Sequence, residues 1–416
     1  MKILVLNSGS SSQKACLYEI GAALPDRPPA CLWEGRVEFG SDTADIVVKT
    51  SQGAIQREQL NKSSREQVVR RLLSTLSDGK VRVLASVSEI DAVGHRVVHG
   101  GPHFEDPVVV SPEVRSAIES VSELAPLHVL AELEGMETIE SILGPVPQVA
   151  VFDTGFHRQM PAAASIYPGP YEWFESGIRR YGFHGINHQY CAGRAAHLLN
   201  KDSKSLKLVT CHLGNGCSVT AIDGGRSIDT TMGFTPLDGL MMGTRSGAID
   251  PGILTYFIRR GEFDAQQIDE VLNHKSGLLG ISGFSSDMRE ILSGIQRGHK
   301  RAKLAFDIFV HRLRIAIGGF VAVLGGIDSL VFTAGVGENS SDVRAAACST
   351  LEFLDLKLDD QLNARPTLDA DISAADSRVR VLVIRAEEDW AIAAECWKLI
   401  HVATPVGASE IADKVF

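Results

Sequence analysis

Residues 206–231 read LKLVTCHLGNGCSVTAIDGGRSIDTT. The apolar run at 206–212 is a strand, Leu213, Gly214, Asn215 and Gly216 form a small-residue turn, and 217–222 is a second strand. Asp223, Gly224 and Gly225 then make a hairpin turn into a third strand at 226–231. The N-terminal stretch KILVLNSGSSSQKACLY, residues 2–18, repeats the pattern with a strand at 3–6, a turn at 7–12 and a strand at 14–18. The two copies share a pattern, not an alignable repeat. Strand, small turn and strand occurring twice in one chain point to a duplicated α/β architecture.

The rest of the chain supplies elements around these two cores. Strand-like runs lie at 33–39 and 46–50, and a helix starts near Ser64, where Ser64 and Gln67 form a capping box before Val68, Val69, Leu72, Leu73 and Leu76. Strands follow at 90–98 and 108–111, helices at 113–124 and 129–143, and a buried strand at 148–153. Helical patterns dominate 249–325. A strand at 329–333, a glycine turn at 335–339, a helix over 342–353, a strand at 379–384 and a helix at 388–400 complete the pattern. Residues 402–416 read as a loosely attached tail. No low-complexity linker separates the halves, and the repeat places a boundary near Asp153.

Composition narrows the function. At roughly 150 residues per domain, 416 residues make two or three domains. The balance of 41 Lys+Arg against 51 Asp+Glu gives a net charge of −10. An acidic chain without a basic block is a poor partner for nucleic acid or an anionic membrane. The longest nearly uncharged apolar run, 315–327, falls short of the ~18 residues of a membrane span, and the apolar stretch at 3–6 falls short of a signal-peptide core of roughly 7–15. Seven cysteines without a CxxC pair argue against a disulfide scaffold or structural zinc and for a reduced, cytoplasmic protein. Glycine is in excess, at 39 of 416 or about 9% against a usual ~7%, which directs attention to loops where backbone approaches a ligand.

Three glycine- or serine-rich turns follow apolar strands, at 7–12, 213–216 and 335–339. Each is either an ordinary turn or a phosphate cradle of exposed backbone N–H groups. No GxxxxGK[ST] motif occurs, and Gly335-x-Gly337-x-x-Ser340 departs from the dinucleotide fingerprint by its serine and its missing βαβ unit, so it reads as a nucleotide loop of another kind. Lys14, on the strand after the first turn, is a phosphate contact or a solvated strand lysine. In GHRVVHGGP (94–102), Arg96 sits among glycines, while His95 and His99 on one strand are about 13 Å apart, four residues at ~3.3 Å each, too far to share a metal. In RYGFHGINH (180–188), His184 lies between Gly182 and Gly185, ahead of a helix that Asn187 would cap. It faces an anion there or is a structural histidine. In GTRSGAIDP (243–251), Arg245 occupies a loop of small residues. Asp153 ends an apolar strand and needs a partner or a metal. Glu387, Glu388 and Asp389 open the last helix, where carboxylates complement the helix dipole.

Phosphate turns, loop arginines, a glycine-flanked histidine and separated acids suit phosphoryl transfer, in which positioning and charge neutralisation dominate. They suit a carboxylate acceptor in particular. With a pKa near ~4.3 it is already ionised and needs no general base. Its obstacle is repulsion from the γ-phosphate, ~4 kcal/mol for two unit charges at ~4 Å and an effective dielectric of ~20. Two arginines, an imidazole and Mg²⁺ answer that repulsion.

The sequence resembles the acetate kinases, of the actin, sugar-kinase and heat-shock-chaperone superfamily. The resemblance rests on seven motifs in order: NSGSSSQK (7–14), GHRVVHGG (94–101), FDT (152–154), YGFHG (181–185), HLGNG (212–216), MGTRSG (242–247) and GVGEN (335–339). It implies an α/β, two-domain duplicated βββαβαβα (actin-like ATPase) fold with the active site in the interdomain cleft. The N-terminal domain would span 1–152 with 390–416 returning to it, and the nucleotide-binding domain 153–389. It implies in-line transfer between ATP and acetate, giving ADP and acetyl phosphate, by a cytoplasmic homodimer with Mg²⁺, or Mn²⁺ in its place.

Carried over by position, Asp153, His184 and Arg245 would be catalytic, with Arg96 and Arg245 binding acetate and the phosphoryl group. Asp153 would orient an arginine or metal-bound water. Val98, Leu127, Phe183 and Pro236 would form the methyl pocket. Lys14 would meet ATP phosphate, as would the turn of His212, Leu213, Gly214, Asn215 and Gly216. Asp287, Met288, Arg289, Gly335, Val336, Gly337, Glu338 and Asn339 would hold the adenosine part, and Asn7 and Glu388 the metal. The chain departs from the family at Val129 and Leu130 of LHVL, at Ala248, and at RAEED (385–389), which leaves the metal carboxylate between Glu387 and Glu388, with Glu388 favoured by the following Ala391-Ile392-Ala393. Propionate or another short-chain acid is the alternative acceptor, with Val98 favouring acetate by only ~1–3 kcal/mol per methylene. A nucleotide-driven binding module is the alternative of another class, for which Arg96, His184 and Arg245 together would have no use.

Overall fold

The computed structural model describes residues 1–9, 12–61, 63–102, 104, 106–122 and 126–403, and of residues 126–128, 402 and 403 the backbone alone. Of the tail expected at 402–416, residues 402 and 403 belong to the last helix, while residues 404–416, Ser10 and Ser11 of the first turn, and the Leu127 side chain lie outside the described residues. The chain forms two compact units. One comprises Met1–Gly155 and Glu387–Phe416, the other Phe156–Ala386.

Among the described residues the first unit holds eight strands: β1 (Lys2–Ser8), β2 (Ser12–Glu19), β3 (Trp33–Phe39), β4 (Thr43–Thr50), β5 (Ile55–Asn61), β6 (Ala92–Val97), β7 (Val108–Val109) and β8 (Gln148–Phe152). They form one sheet in the order β5-β4-β3-β2-β1-β6-β8-β7. The second unit holds β9 (Lys207–Leu213), β10 (Cys217–Asp223), β11 (Arg226–Thr230), β12 (Ser329–Thr333), β13 (Ala370–Asp371) and β14 (Arg380–Val383), ordered β11-β10-β9-β12-β14-β13.

The duplication expected from residues 2–18 and 206–231 is visible in these orders. β3-β2-β1-β6-β8 and β11-β10-β9-β12-β14 follow one scheme, three antiparallel strands and then two parallel ones. Parallel pairing requires crossovers, and helices supply them. In the first unit, the helix Arg65–Ser74 starts at the Ser64–Gln67 capping box and buries Val68, Val69, Leu72 and Leu73 against Leu4, Leu17 and Trp33. In the second, the helix Lys300–Leu324 lies on the crossover to β12, and the helix Gly185–Leu198, which precedes β9, lays Cys191, Ala192 and Ala195 on Leu208, Val331 and Leu382. The helix Glu388–Ala403 packs on β1 and β6 of the first unit.

Gly94 in β6 makes that last packing possible. A Cβ there would lie 2.5 Å from Cys396 Sγ and 2.6 Å from Ile392 Cγ2, so only glycine admits the helix at this distance. The start of the helix, with Glu388, is thereby held to the strand that carries Arg96.

Three local expectations are corrected. Residues 335–339 are not a turn but a short helix, Ala334–Asn339. The chain reverses at Ala334 (φ 64°), a conformation rare outside glycine, so the glycine-rich composition concealed a helical turn. Asn187 does not cap the helix after His184. His184 occupies the cap, Gly185 starts the helix, and Asn187 is buried inside it. The strand carrying His95 ends at Val97, so His99 lies beyond it.

Candidate active site

In the first unit the site is built on strand ends. Asn7 on β1 and Lys14 on β2 are cross-strand partners, Arg96 lies near the end of β6, Asp153 follows β8, and Glu388 and Asp389 open the last helix. Arg96 donates through Nη2 to Asp153 Oδ2 and through Nη1 to Asn7 Oδ1 at 3.3 Å. Asp153 is 0% exposed, so the pair is desolvated and each charge depends on the other. Burial works against the Arg96 charge, yet the carboxylates of Asp153 and Glu388 outweigh it and hold the guanidinium above its ordinary pKa.

Glu388 shows the opposite balance. Burial, with Asp153 and Asp389 adding repulsion against the pull of Arg96 and Lys14, pushes its carboxyl up to about 7. Lys14 donates to Asp389, and that carboxylate offsets burial and raises the lysine's pKa. Glu387, the other carboxylate considered for the metal, sits just ahead of the helix that Glu388 opens.

Two buried oxygens of this unit have no hydrogen-bond partner among the described residues, Asp153 Oδ1 and Glu132 Oε2. Buried polar atoms are normally satisfied, and an orphaned acceptor beside an amide oxygen and a second carboxylate is the kind of site a hard cation fills. Asn7, Asp153 and Glu388 therefore fit Mg²⁺ by donor type. Glu132 was not foreseen from sequence. Its Oε1 accepts the Val98 N–H at 3.1 Å, fixing the strand end that carries the proposed methyl-pocket residue, and burial above all pushes its carboxyl up to about 8.

In the second unit the site gathers around the turn after β9. His184, in a left-handed conformation (φ 58°), stacks on His212 with ring centroids 3.9 Å apart. Its Nδ1 meets Ser218 Oγ at 2.9 Å, and the same hydroxyl meets His188 Nε2 at 2.7 Å. His188 Nδ1 in turn meets Thr210 Oγ1 at 2.7 Å. Burial, with His157 and His212 adding to it, lowers the His188 pKa well below the ordinary value, so that ring is neutral. A neutral imidazole has one N–H and one acceptor, which two hydroxyls can satisfy in sequence. The chain Thr210, His188, Ser218 thus fixes the His184 ring. Asn187 holds His212 Nδ1 at 2.7 Å.

Arg245 donates through Nη1 to the Pro236 carbonyl at 3.2 Å. His184 and Arg245 converge on Gly216. A Cβ there would lie 3.4 Å from His184 Cε1 and 3.5 Å from Arg245 Nη1. The loop at 242–247 is tied to the same turn, since Gly243 N–H donates to the Asn215 carbonyl at 3.1 Å. Phe183 is buried, and its carbonyl meets His157 Nε2 at 3.1 Å.

The segments expected to hold adenosine also lie in this unit. Asp287 caps the helix Met288–Gln296, and Arg289 pairs back with Asp287 while its side chain is 89% exposed. Within Ala334–Asn339, Asn339 donates to the Gly335 carbonyl at 2.8 Å, and Glu338 accepts the Ala386 N–H at 2.8 Å. Val336 and Gly337 complete this helical turn. Arg344 was not foreseen. It is fully buried and donates to the Gly337 and Glu338 carbonyls at 2.8 and 2.9 Å, satisfying the end of that short helix.

Comparison with known proteins agrees with this geometry. A sequence model described as the Acetokinase family matches residues 2–394. An acetate kinase of Nostoc sp. is 58% identical over 403 residues, covering 96% of this chain and 100% of that protein. The crystal structure of Porphyromonas gingivalis acetate kinase superposes with a TM-score of 0.88 at 39% identity, over 96% of this chain and 99% of that one. A propionate kinase from Francisella tularensis superposes with a TM-score of 0.87 at 38% identity, over 95% and 99%. Motifs, fold and full-length similarity coincide, and the chain belongs to the acetokinase family.

Proposed function

We propose that the protein transfers a phosphoryl group reversibly and in line between ATP and acetate, forming ADP and acetyl phosphate. The observation that carries this reading is the convergence of His184 and Arg245 on the bare backbone at Gly216, which brings an imidazole and a guanidinium to one point.

In this reading Arg96 and Arg245 bind the acetate carboxylate and the transferring phosphoryl, and His184 donates to the equatorial oxygens as charge builds on them. Acetate arrives ionised, so no general base is needed. Asp153 holds Arg96 in place, which its buried ion pair supports. Lys14 and the turn His212 to Gly216 bind ATP phosphates. Asp287, Met288, Arg289 and the segment Gly335 to Asn339 bind the adenosine part. Val98, Leu127, Phe183 and Pro236 enclose the methyl group, and Val98 is 4% exposed. Asn7 and Glu388 hold Mg²⁺, with Asp153 beside them. The metal, when bound, shields the negative charge of the polyphosphate.

The protein is read as a cytoplasmic homodimer. Its seven cysteines, none in a CxxC pair, fit a reducing compartment, and among the described residues no helix is long and apolar enough to cross a membrane. The helix Lys300–Leu324 exposes Ile315 and Val323 beside a groove with Arg312 and Phe320, apolar surface of the kind a second copy covers.

The reaction is tested by incubating the protein with ATP, Mg²⁺ and acetate, propionate or butyrate, and trapping acyl phosphate as the hydroxamate. Acetyl hydroxamate is the expected main product. A preference for propionate would move the acceptor to the longer acid, and no product with any acid would contradict the acyl-kinase reading.

A further inference from the structure

The sequence offers no CxxC pair, yet the fold brings two distant cysteines together. Cys16 on β2 is the cross-strand partner of Glu34 on β3, so both side chains leave the same face of the sheet. Cys31 ends the loop before β3, where the Leu32 N–H donates to the Leu17 carbonyl at 2.8 Å and ties the loop to β2. Cys16 Sγ, Cys31 Sγ and a Glu34 carboxylate oxygen all lie within 4.8 Å of one another. Cys16 is buried, while Cys31 and Glu34 are half-buried, which leaves a path from solvent.

We propose that Cys16, Cys31 and Glu34 form a binding site for a thiophilic divalent cation of the Zn²⁺ class. Two sulfurs and one carboxylate oxygen are the donor set such an ion takes, with water as the fourth ligand of a tetrahedron. Binding forms two metal–sulfur bonds and one metal–oxygen bond, and the two thiol protons pass to water. The surroundings support the ligands. Arg36 Nε donates to Glu34 Oε1 at 2.7 Å and orients the carboxylate. The Lys14 ammonium lies close enough to act electrostatically on Cys16, Cys31 and Glu34, offsetting the charge of two thiolates and a carboxylate.

The site also touches the machinery of the first unit. Cys16 Sγ donates to Asp389 Oδ2 at 3.6 Å, and the same oxygen accepts from Lys14. An ion on the cysteines removes that thiol proton from Asp389.

The test titrates the reduced full-length protein with Cd²⁺ in excess Mg²⁺, which saturates hard oxygen sites, and reads the ultraviolet thiolate-to-cadmium charge-transfer band. The band should saturate at one cadmium per chain, and Zn²⁺ should abolish it by competition. Cys31→Ser should lose it, and Glu34→Gln should weaken binding while keeping the band. Both substitutions fall at half-buried positions, so the core is left intact. The absence of a band in the wild-type protein, or a band of unchanged size in Cys31→Ser, would overturn the site.

Discussion

Arg96 and Asp153 form a buried ion pair in which the guanidinium reaches Asp153 Oδ2 with one nitrogen and Asn7 Oδ1 with another. The contact joins the ends of two neighbouring parallel strands, β6 and β8. It also leaves Asp153 Oδ1 without a hydrogen-bond partner among the described residues. In the proposed reaction Asp153 positions Arg96 and transfers no proton.

Removing one partner of such a pair strands the other in low dielectric. Asp153→Ala should cost about 3–5 kcal/mol of stability, read from urea denaturation, and should lower kcat/KM for acetate by orders of magnitude. A variant with unchanged denaturation midpoint would mean that the ion pair does not hold the site together.

Gly216 faces His184 and Arg245 at ordinary van der Waals separation, 3.4 and 3.5 Å for an added Cβ. Gly216→Ala should fold with an unchanged Tm, because no backbone strain or clash follows. The methyl group would stand between His184 and Arg245 and keep an anion from the backbone, and turnover should fall on the order of 100-fold. Normal turnover would mean that the bare backbone at Gly216 plays no part in the reaction.

Ser218 bridges His184 and His188. Ser218→Ala should release the His184 ring and lower kcat by roughly 10–100-fold with KM for ATP nearly unchanged, since placement and not binding is lost. An effect on KM alone would show that Ser218 does not act through His184.

Glu132 supplies a pH test. Its carboxyl is pushed from an ordinary 4.5 up to about 8 by burial, so the folded state keeps a proton that the unfolded chain releases. Between those values wild-type stability falls as pH rises. Glu132→Gln carries no such proton, and its Tm relative to wild type should climb between about pH 5 and pH 8. A constant difference across that window would mean that Glu132 ionises as an exposed carboxyl does.

What the sequence disclosed followed from local signals. Arg96, His184 and Arg245 stood out because each is a charged or titratable side chain among small residues, and the two strand-turn-strand runs disclosed the duplicated sheets. What stayed hidden depends on contacts distant along the chain. Asp389 reads as a helix-dipole acid until Lys14 reaches it from the other end of the sequence. Glu132, on the helix Pro126–Leu143, becomes notable only through the Val98 amide. Arg344 looks like a surface arginine until the carbonyls of Gly337 and Glu338 accept from it. β5 went unread for another reason. IQREQLN is an edge strand with no buried residue, so it lacks the apolar alternation that marks a strand.

In the proposed reaction the acid's own oxygen attacks the γ-phosphorus of ATP. Phosphorus NMR of the reaction with ATP, Mg²⁺ and acetate labelled with heavy oxygen tests it directly. An acyl phosphate resonance displaced by the isotope is expected, because the bridging oxygen comes from acetate. An acyl phosphate resonance without that displacement, or none at all, would contradict it.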